Sequence, residues 1–136
     1  VVQTGDNQGA VLNQFGGNNI IELEQLGELQ LTFIEQVNGD TDSQGNAAIV
    51  AQNTGLGNQV DMYQENDGNF SSVSQTGEFN TSLSTQIADF TVVSAGNVEG
   101  YVQGSIVTQT GQNNFTDVFQ AGDFQLSSVT QSAAIG

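Results

Sequence analysis

Apolar and polar side chains alternate along short stretches of this chain, and glutamine closes most of them. Ala10 and Leu12 precede Gln14, Ile21 and Leu23 precede Gln25, Thr32 and Ile34 precede Gln36, and Ala48 and Val50 precede Gln52. The same spacing continues with Val60 and Met62 before Gln64, Ser71 and Val73 before Gln75, Ser105 and Val107 before Gln109, Thr116 and Val118 before Gln120, and Ser127 and Val129 before Gln131. A period of two belongs to a strand, whose successive side chains point to opposite faces. The pattern predicts seven-residue strands over 8–14, 19–25, 30–36, 46–52, 58–64, 69–75, 80–86, 91–97, 103–109, 114–120 and 125–131.

A second, longer period ties these strands together. Most steps between the closing glutamines, Gln86 among them, are eleven residues, and an amide stands six residues before nearly every one. Those leading amides include Asn19, Asn46, Asn58, Asn69, Asn80 and Asn114, with Gln8, Gln30, Gln103 and Gln125 in the equivalent place; Thr91 breaks that column and Asn97 stands where a Gln is due. Glycine often follows two residues after the Gln, as at Gly5, Gly16, Gly27, Gly77, Gly111 and Gly122, where the chain needs freedom to turn. An eleven-residue period can also mark a right-handed coiled coil. Val, Thr, Ser and Asn with a Gly in each unit are poor helix material, and the inner period of two decides for strands.

Two strands and two arcs then make one rung of about 22 residues. The expected fold is an all-β, cross-β solenoid, a single domain over 1–136 with five to six rungs stacked about 4.8 Å apart. Irregular spacings at 37–45, 53–57 and 98–102 fall in arcs, where such a stack absorbs them.

Burying a lone amide in a dry interior costs about 1–3 kcal/mol, but identical amides one rung apart can bond each other continuously. Structural ladders are therefore expected at Gln14, Gln25, Gln36, Gln52, Gln64, Gln75, Gln86, Gln109, Gln120 and Gln131, and at Asn19, Asn46, Asn58, Asn69, Asn80 and Asn114. They would also fix register, since a one-residue slip turns both columns outward. The arcs carry Asp6, Glu28, Glu78, Glu99 and Asp123, and if arcs stack as strands do, these form an acidic ridge.

Composition narrows the chemistry. The 136 residues include no Lys, Arg, His, Cys or Pro, against 15 Asp and Glu, for a formal charge of -15. Nucleic acid and anionic membrane surfaces need cationic side chains, so neither is an expected partner. No apolar run approaches the roughly 20 residues of a membrane span. The opening Val1-Val2-Gln3 carries no initiator Met and no basic segment, as expected of a processed product. Neither disulfides nor thiolate metal sites can form. The remaining catalytic possibility is a carboxylate pair, but Glu22 and Glu24 share an outward strand face, and no enzyme activity, cofactor or metal is expected. Gly39-Asp40-Thr41-Asp42 offers oxygen ligands without the spacing of an EF-hand.

The arrangement Gln-x4-Asn-x5-Gln, often with Gly two after the first Gln, resembles the curlin repeat of bacterial curli subunits. It stands here at Gln14-Asn19-Gln25, Gln64-Asn69-Gln75, Gln75-Asn80-Gln86 and Gln109-Asn114-Gln120, and the likeness spans essentially the whole chain. The resemblance implies a structural subunit of an extracellular amyloid fibre on a Gram-negative cell, serving biofilm matrix and adhesion. Its implied partners are further copies of itself and the secretion and nucleation factors of a curli-type system. Two alternatives stay open: a monomeric repeat-protein adhesin or binding module, and a minor, nucleating subunit of the same fibre. A soluble repeat protein is expected to have polar, atypical end repeats. Here the first units already carry the motif, which favours polymerisation through unpaired strand edges.

Overall fold

The computed structural model describes residues 1–38, 45–66, 68–87, 103–122 and 125–133. Among them the chain is all-β, with no helix. Its strands are β1 (Val2–Thr4), β2 (Gly9–Phe15), β3 (Ile20–Leu26), β4 (Leu31–Val37), β5 (Ala47–Thr54), β6 (Gln59–Glu65), β7 (Asn69–Glu78), β8 (Thr81–Ile87), β9 (Gln103–Gln112), β10 (Phe115–Ala121) and β11 (Gln125–Ser132). They form two sheets, one in the order β1-β3-β5-β7-β9-β11 and one in the order β10-β8-β6-β4-β2. Successive strands thus alternate between the sheets, and each pairs in parallel with the strand two places further on, as β4 does with β6.

Most strands begin one residue later than the sequence pattern predicts. At the leading position a side-chain amide often takes the backbone bond: the N–H groups of Asn46, Asn69, Asn80 and Asn114 donate to the Oδ1 atoms of Asn19, Asn46, Asn58 and Asn80, at 2.9–3.2 Å. A side-chain oxygen substitutes there for a carbonyl of the sheet. Pairing also runs further than expected in β7 and β9, through Gly77 with Gly111 and Glu78 with Gln112. The extra residue expected in the arc at 53–57 enters as a β-bulge at Asn53, since Gln52 pairs with Gln75 and Thr54 with Thr76.

One expectation needs correction. The strand predicted over 91–97 lies outside the described residues, and the alternation it implied would put 69–75 and 103–109 in opposite sheets. Instead β7 and β9 are direct neighbours in one sheet, and β8 and β10 in the other. The pairs Gln75 with Gln109 and Gln86 with Gln120 therefore each bridge 34 residues of chain, where eleven-residue units would give 22.

The inward faces meet in one interior. Leu23, Ala48, Val50, Val73 and Val107 from the larger sheet pack with Ile34, Val60, Met62 and Val118 from the smaller. Apolar burial stabilises by roughly 25 cal/mol per Å². The polar half of the same interior is as large, because the strand pattern alternates these residues with Thr32, Ser71, Ser82, Ser84, Ser105 and Thr116, all buried. These small side chains let the sheets approach, so that Ser71 Oγ lies 3.2 Å from Ser84 Oγ across the gap.

Turn geometry is set by residues that accept positive φ. Asn7, Asn18, Asn66 and Asn113 adopt it with φ between 56° and 64°, a conformation Asn tolerates. Leu29 and Phe79 share it at 54° and 55°, which costs an ordinary side chain about 1–2 kcal/mol. Phe79 gains a partial offset, since its ring occupies the space a side chain on Gly57 would take.

Candidate functional site

The expected glutamines form two continuous columns. In the larger sheet Nε2 of Gln3 donates to Oε1 of Gln25, Gln25 to Gln52, Gln52 to Gln75, Gln75 to Gln109 and Gln109 to Gln131, at 2.6–3.0 Å. In the smaller sheet Gln14 donates to Gln36, Gln36 to Gln64, Gln64 to Gln86 and Gln86 to Gln120, at 2.8–2.9 Å. Every one of these bonds is donated from the earlier strand to the later. From Gln25 to Gln109 the column residues are fully buried.

Why the residue at this place is Gln follows from its second N–H. Nε2 of Gln36 also reaches the backbone carbonyl of Ile20 in the opposite sheet (3.1 Å), that of Gln75 reaches Gln59 (3.0 Å), and that of Gln86 reaches Phe70 (2.9 Å). Gln64, Gln109, Gln120 and Gln131 make the same crossing to Ala47, Thr81, Gly104 and Phe115. A single side chain thus links its own sheet lengthwise and the facing sheet crosswise, and both donors of the amide are satisfied. The crossing also assigns the amide orientation, because only nitrogen can face a carbonyl.

The leading amides do something the repeat pattern alone did not disclose. Nδ2 of Asn19, Asn58, Asn69, Asn80 and Asn114 donates to the carbonyl four residues earlier, on Phe15, Thr54, Glu65, Thr76 and Thr110. Gln8 and Gln30 do the same to Thr4 and Leu26. This clamps the arc that precedes each strand, and it explains how Gln and Asn alternate in one column. At two of the four places where Asn stacks on Asn a ladder also forms: Asn69 Nδ2 donates to Asn46 Oδ1 at 3.1 Å and Asn114 Nδ2 to Asn80 Oδ1 at 2.9 Å. These bonds run from the later strand to the earlier, opposite to the glutamine columns. Elsewhere in this column the ladder lapses, between Asn19 and Asn46 and between Asn58 and Asn80 as well as where the residue type changes, and Asn46 Nδ2 is buried without a partner. Gln30 Oε1, before Asn58, and Asn69 Oδ1, before Gln103, are buried without a partner.

Two threonines join the polar interior. Thr32 lies between Gln25 and Gln52, accepting from the first at 3.1 Å and donating to the second at 3.2 Å. Thr116 bridges Gln109 and Gln131 in the same way, at 3.0 and 2.7 Å.

The acidic ridge is interrupted. Extending the strand register places Asp6 beside Glu28, but Glu28 pairs next with Leu56, and Glu78 pairs with Gln112. The Glu78 carboxylate accepts from the Gln112 side chain at 3.1 Å instead of facing another acid. Glu99 and Asp123 lie outside the described residues, as do Asp40 and Asp42. The strand before Asp123, β10, belongs to the smaller sheet, whereas those before Asp6, Glu28 and Glu78 belong to the larger. Regular spacing in sequence hid the neutral residues inserted between the acids.

Glu22 and Glu24 are exposed on β3 and line an open groove of about 360 Å³ with Val1, Val2 and Ile49. Among the described residues no three His, Cys, Asp or Glu side chains gather as a metal site. The site with built geometry is the pair of amide columns, a device for joining strand to strand. Comparison of the chain with family models, with curated proteins and with solved structures finds no match.

Proposed function

We propose that this chain is a structural subunit of an extracellular curli-like amyloid fibre, folded as a β-solenoid of two-strand rungs and growing by end-to-end stacking. The observation that carries the reading is the pair of glutamine columns, which pass through every strand of both sheets with one bonding rule. Such a rule is translational: the bond that joins β5 to β7 also joins β7 to β9, so a further copy adds by repeating a contact the chain already makes. Parallel pairing, in register except at the bulge between β5 and β7, supports the stacked rungs of this reading, and strand edges at β10 and β11 have a neighbour on one side only. No chemistry beyond cohesion is asked of the chain, which fits its lack of His, Cys, Lys and Arg. Its place would be the matrix around a Gram-negative cell.

Electron microscopy and fibre diffraction of purified protein after a day at neutral pH test this. Unbranched fibres with a meridional reflection at about 4.8 Å are expected. A solution that remains monomeric would leave a non-polymerising repeat module as the better description.

A further inference from the structure

The column rule writes a second signal into the chain. An inward Asn must be followed two residues later by another inward residue, which is Ile21, Ala48 or Val60 in three units and a small hydroxyl side chain in the other three. The result is Asn69-Phe70-Ser71, Asn80-Thr81-Ser82 and Asn114-Phe115-Thr116, three Asn-x-Ser/Thr acceptor sequences for N-linked glycan. Such acceptors are ordinarily surface loops. Here Asn69 and Asn80 are fully buried and so are Ser71 and Ser82.

We propose that N-glycosylation at Asn69 or Asn80 and folding of this chain are mutually exclusive, so that the chain cannot mature through a secretory route that transfers glycan before folding. The transfer forms a bond from the Asn Nδ2 to C1 of the first sugar and breaks that carbon's bond to the diphosphate of a lipid-linked oligosaccharide. Lipid diphosphate leaves, and Nδ2 gives up one of its two protons. In the folded chain both protons are in use. Asn69 Nδ2 donates to Asn46 Oδ1 at 3.1 Å and to the Glu65 carbonyl at 2.8 Å; Asn80 Nδ2 donates to the carbonyls of Gly111 at 3.1 Å and Thr76 at 3.4 Å. A sugar on either nitrogen would occupy the space of those acceptors, inside an interior with no opening to solvent at that atom. Asn114 differs in exposure rather than in bonding. Its Nδ2 also donates twice, to Asn80 Oδ1 at 2.9 Å and to the Thr110 carbonyl at 3.0 Å, but it leads β10, the outermost strand of the smaller sheet, and is only part-buried, so a glycan there can extend past the sheet edge and water can reach the acceptors it displaces.

The test is cell-free translation of the full chain, behind a cleavable signal peptide, with microsomes that carry the transferase. Single-acceptor variants are made by removing hydroxyls, and Ser82→Ala is the mildest, because Ser82 Oγ is buried without a partner. Ser71→Ala and Thr116→Val remove the other two acceptors. Each variant is also made in bacteria, where the unglycosylated form must resist protease if it is to be scored. Glycan count and protease resistance are read on one gel. The expected result is that bands glycosylated at Asn69 or Asn80 are cut at least tenfold faster than the unglycosylated form, while the band glycosylated at Asn114 alone stays resistant. A band carrying glycan at Asn69 or Asn80 with full protease resistance overturns the proposal.

Discussion

Gly77→Ala is expected to unfold the chain, with a loss above about 4 kcal/mol. At this residue β7 and β9 run so close that an added Cβ would stand 2.0 Å from the Gly111 carbonyl oxygen, inside any tolerable contact. The obstruction is backbone, so no rotamer change relieves it. The conformation adds to the cost, because φ is +108°, a value that side chains rarely adopt. The strands would have to separate, and the ladder bond between Gln75 and Gln109, two residues away, would lengthen with them. Gly9→Ala is the control: its Cβ would meet only the end of the Leu31 side chain, at 3.0 Å, and a change under about 1 kcal/mol is expected. Denaturant midpoints for the two variants decide the matter. Equal midpoints would mean that the strands approach less closely than described.

Gln75→Ala is expected to cost on the order of 4 kcal/mol, and Gln112→Ala less than about 1 kcal/mol. Truncating Gln75 removes the acceptor for Gln52 (3.0 Å), the donor to Gln109 (2.8 Å) and the cross-sheet donor to the Gln59 carbonyl (3.0 Å). Three groups lose a partner in the interior, at about 1–3 kcal/mol each, and water cannot easily replace it. Gln112 is half-buried and makes one side-chain bond, to Glu78. If the proposed fibre forms, Gln75→Ala should also lengthen the lag before assembly far more than Gln112→Ala. Identical stabilities for the two variants would show that the column does not hold the sheets.

The strands and the glutamine columns were legible in the sequence because both rest on local rules. Period two says which side chains point inward, and an inward amide must find another amide. What the period could not show is what lies across the gap. The crossing from Gln75 to the Gln59 carbonyl joins residues in different sheets, and no spacing along one strand announces it. The clamp from Asn80 to Thr76 is local, and a leading amide four residues past a carbonyl in every unit was the signal available for it. Thr91 and Asn97 break both columns of the sequence pattern, and that unit lies outside the described residues, so the 34-residue step from Gln75 to Gln109 is visible only in the pairing of β7 with β9. The interruptions of the acidic ridge beside Glu28 and Glu78 were equally out of reach, since Leu56 and Gln112 occupy places that only three-dimensional pairing identifies.

The two kinds of column run in opposite directions, but in unequal number. Each amide is a dipole, and peptide units of about 3.5 D aligned head to tail give a helix opposite partial charges at its ends. In a one-way column of side-chain amides, every added strand would raise the potential difference between the two tips. Glutamine oxygens here face the earlier strand and stacked asparagine oxygens face the later one, as in Gln75 accepting from Gln52 while Asn46 accepts from Asn69. The two asparagine bonds oppose the nine glutamine bonds without cancelling them. The stack therefore keeps a net direction and two unlike ends: Gln3 and Gln14 turn amide oxygens to the early edge, whereas Gln120 and Gln131 turn amide nitrogens to the late one.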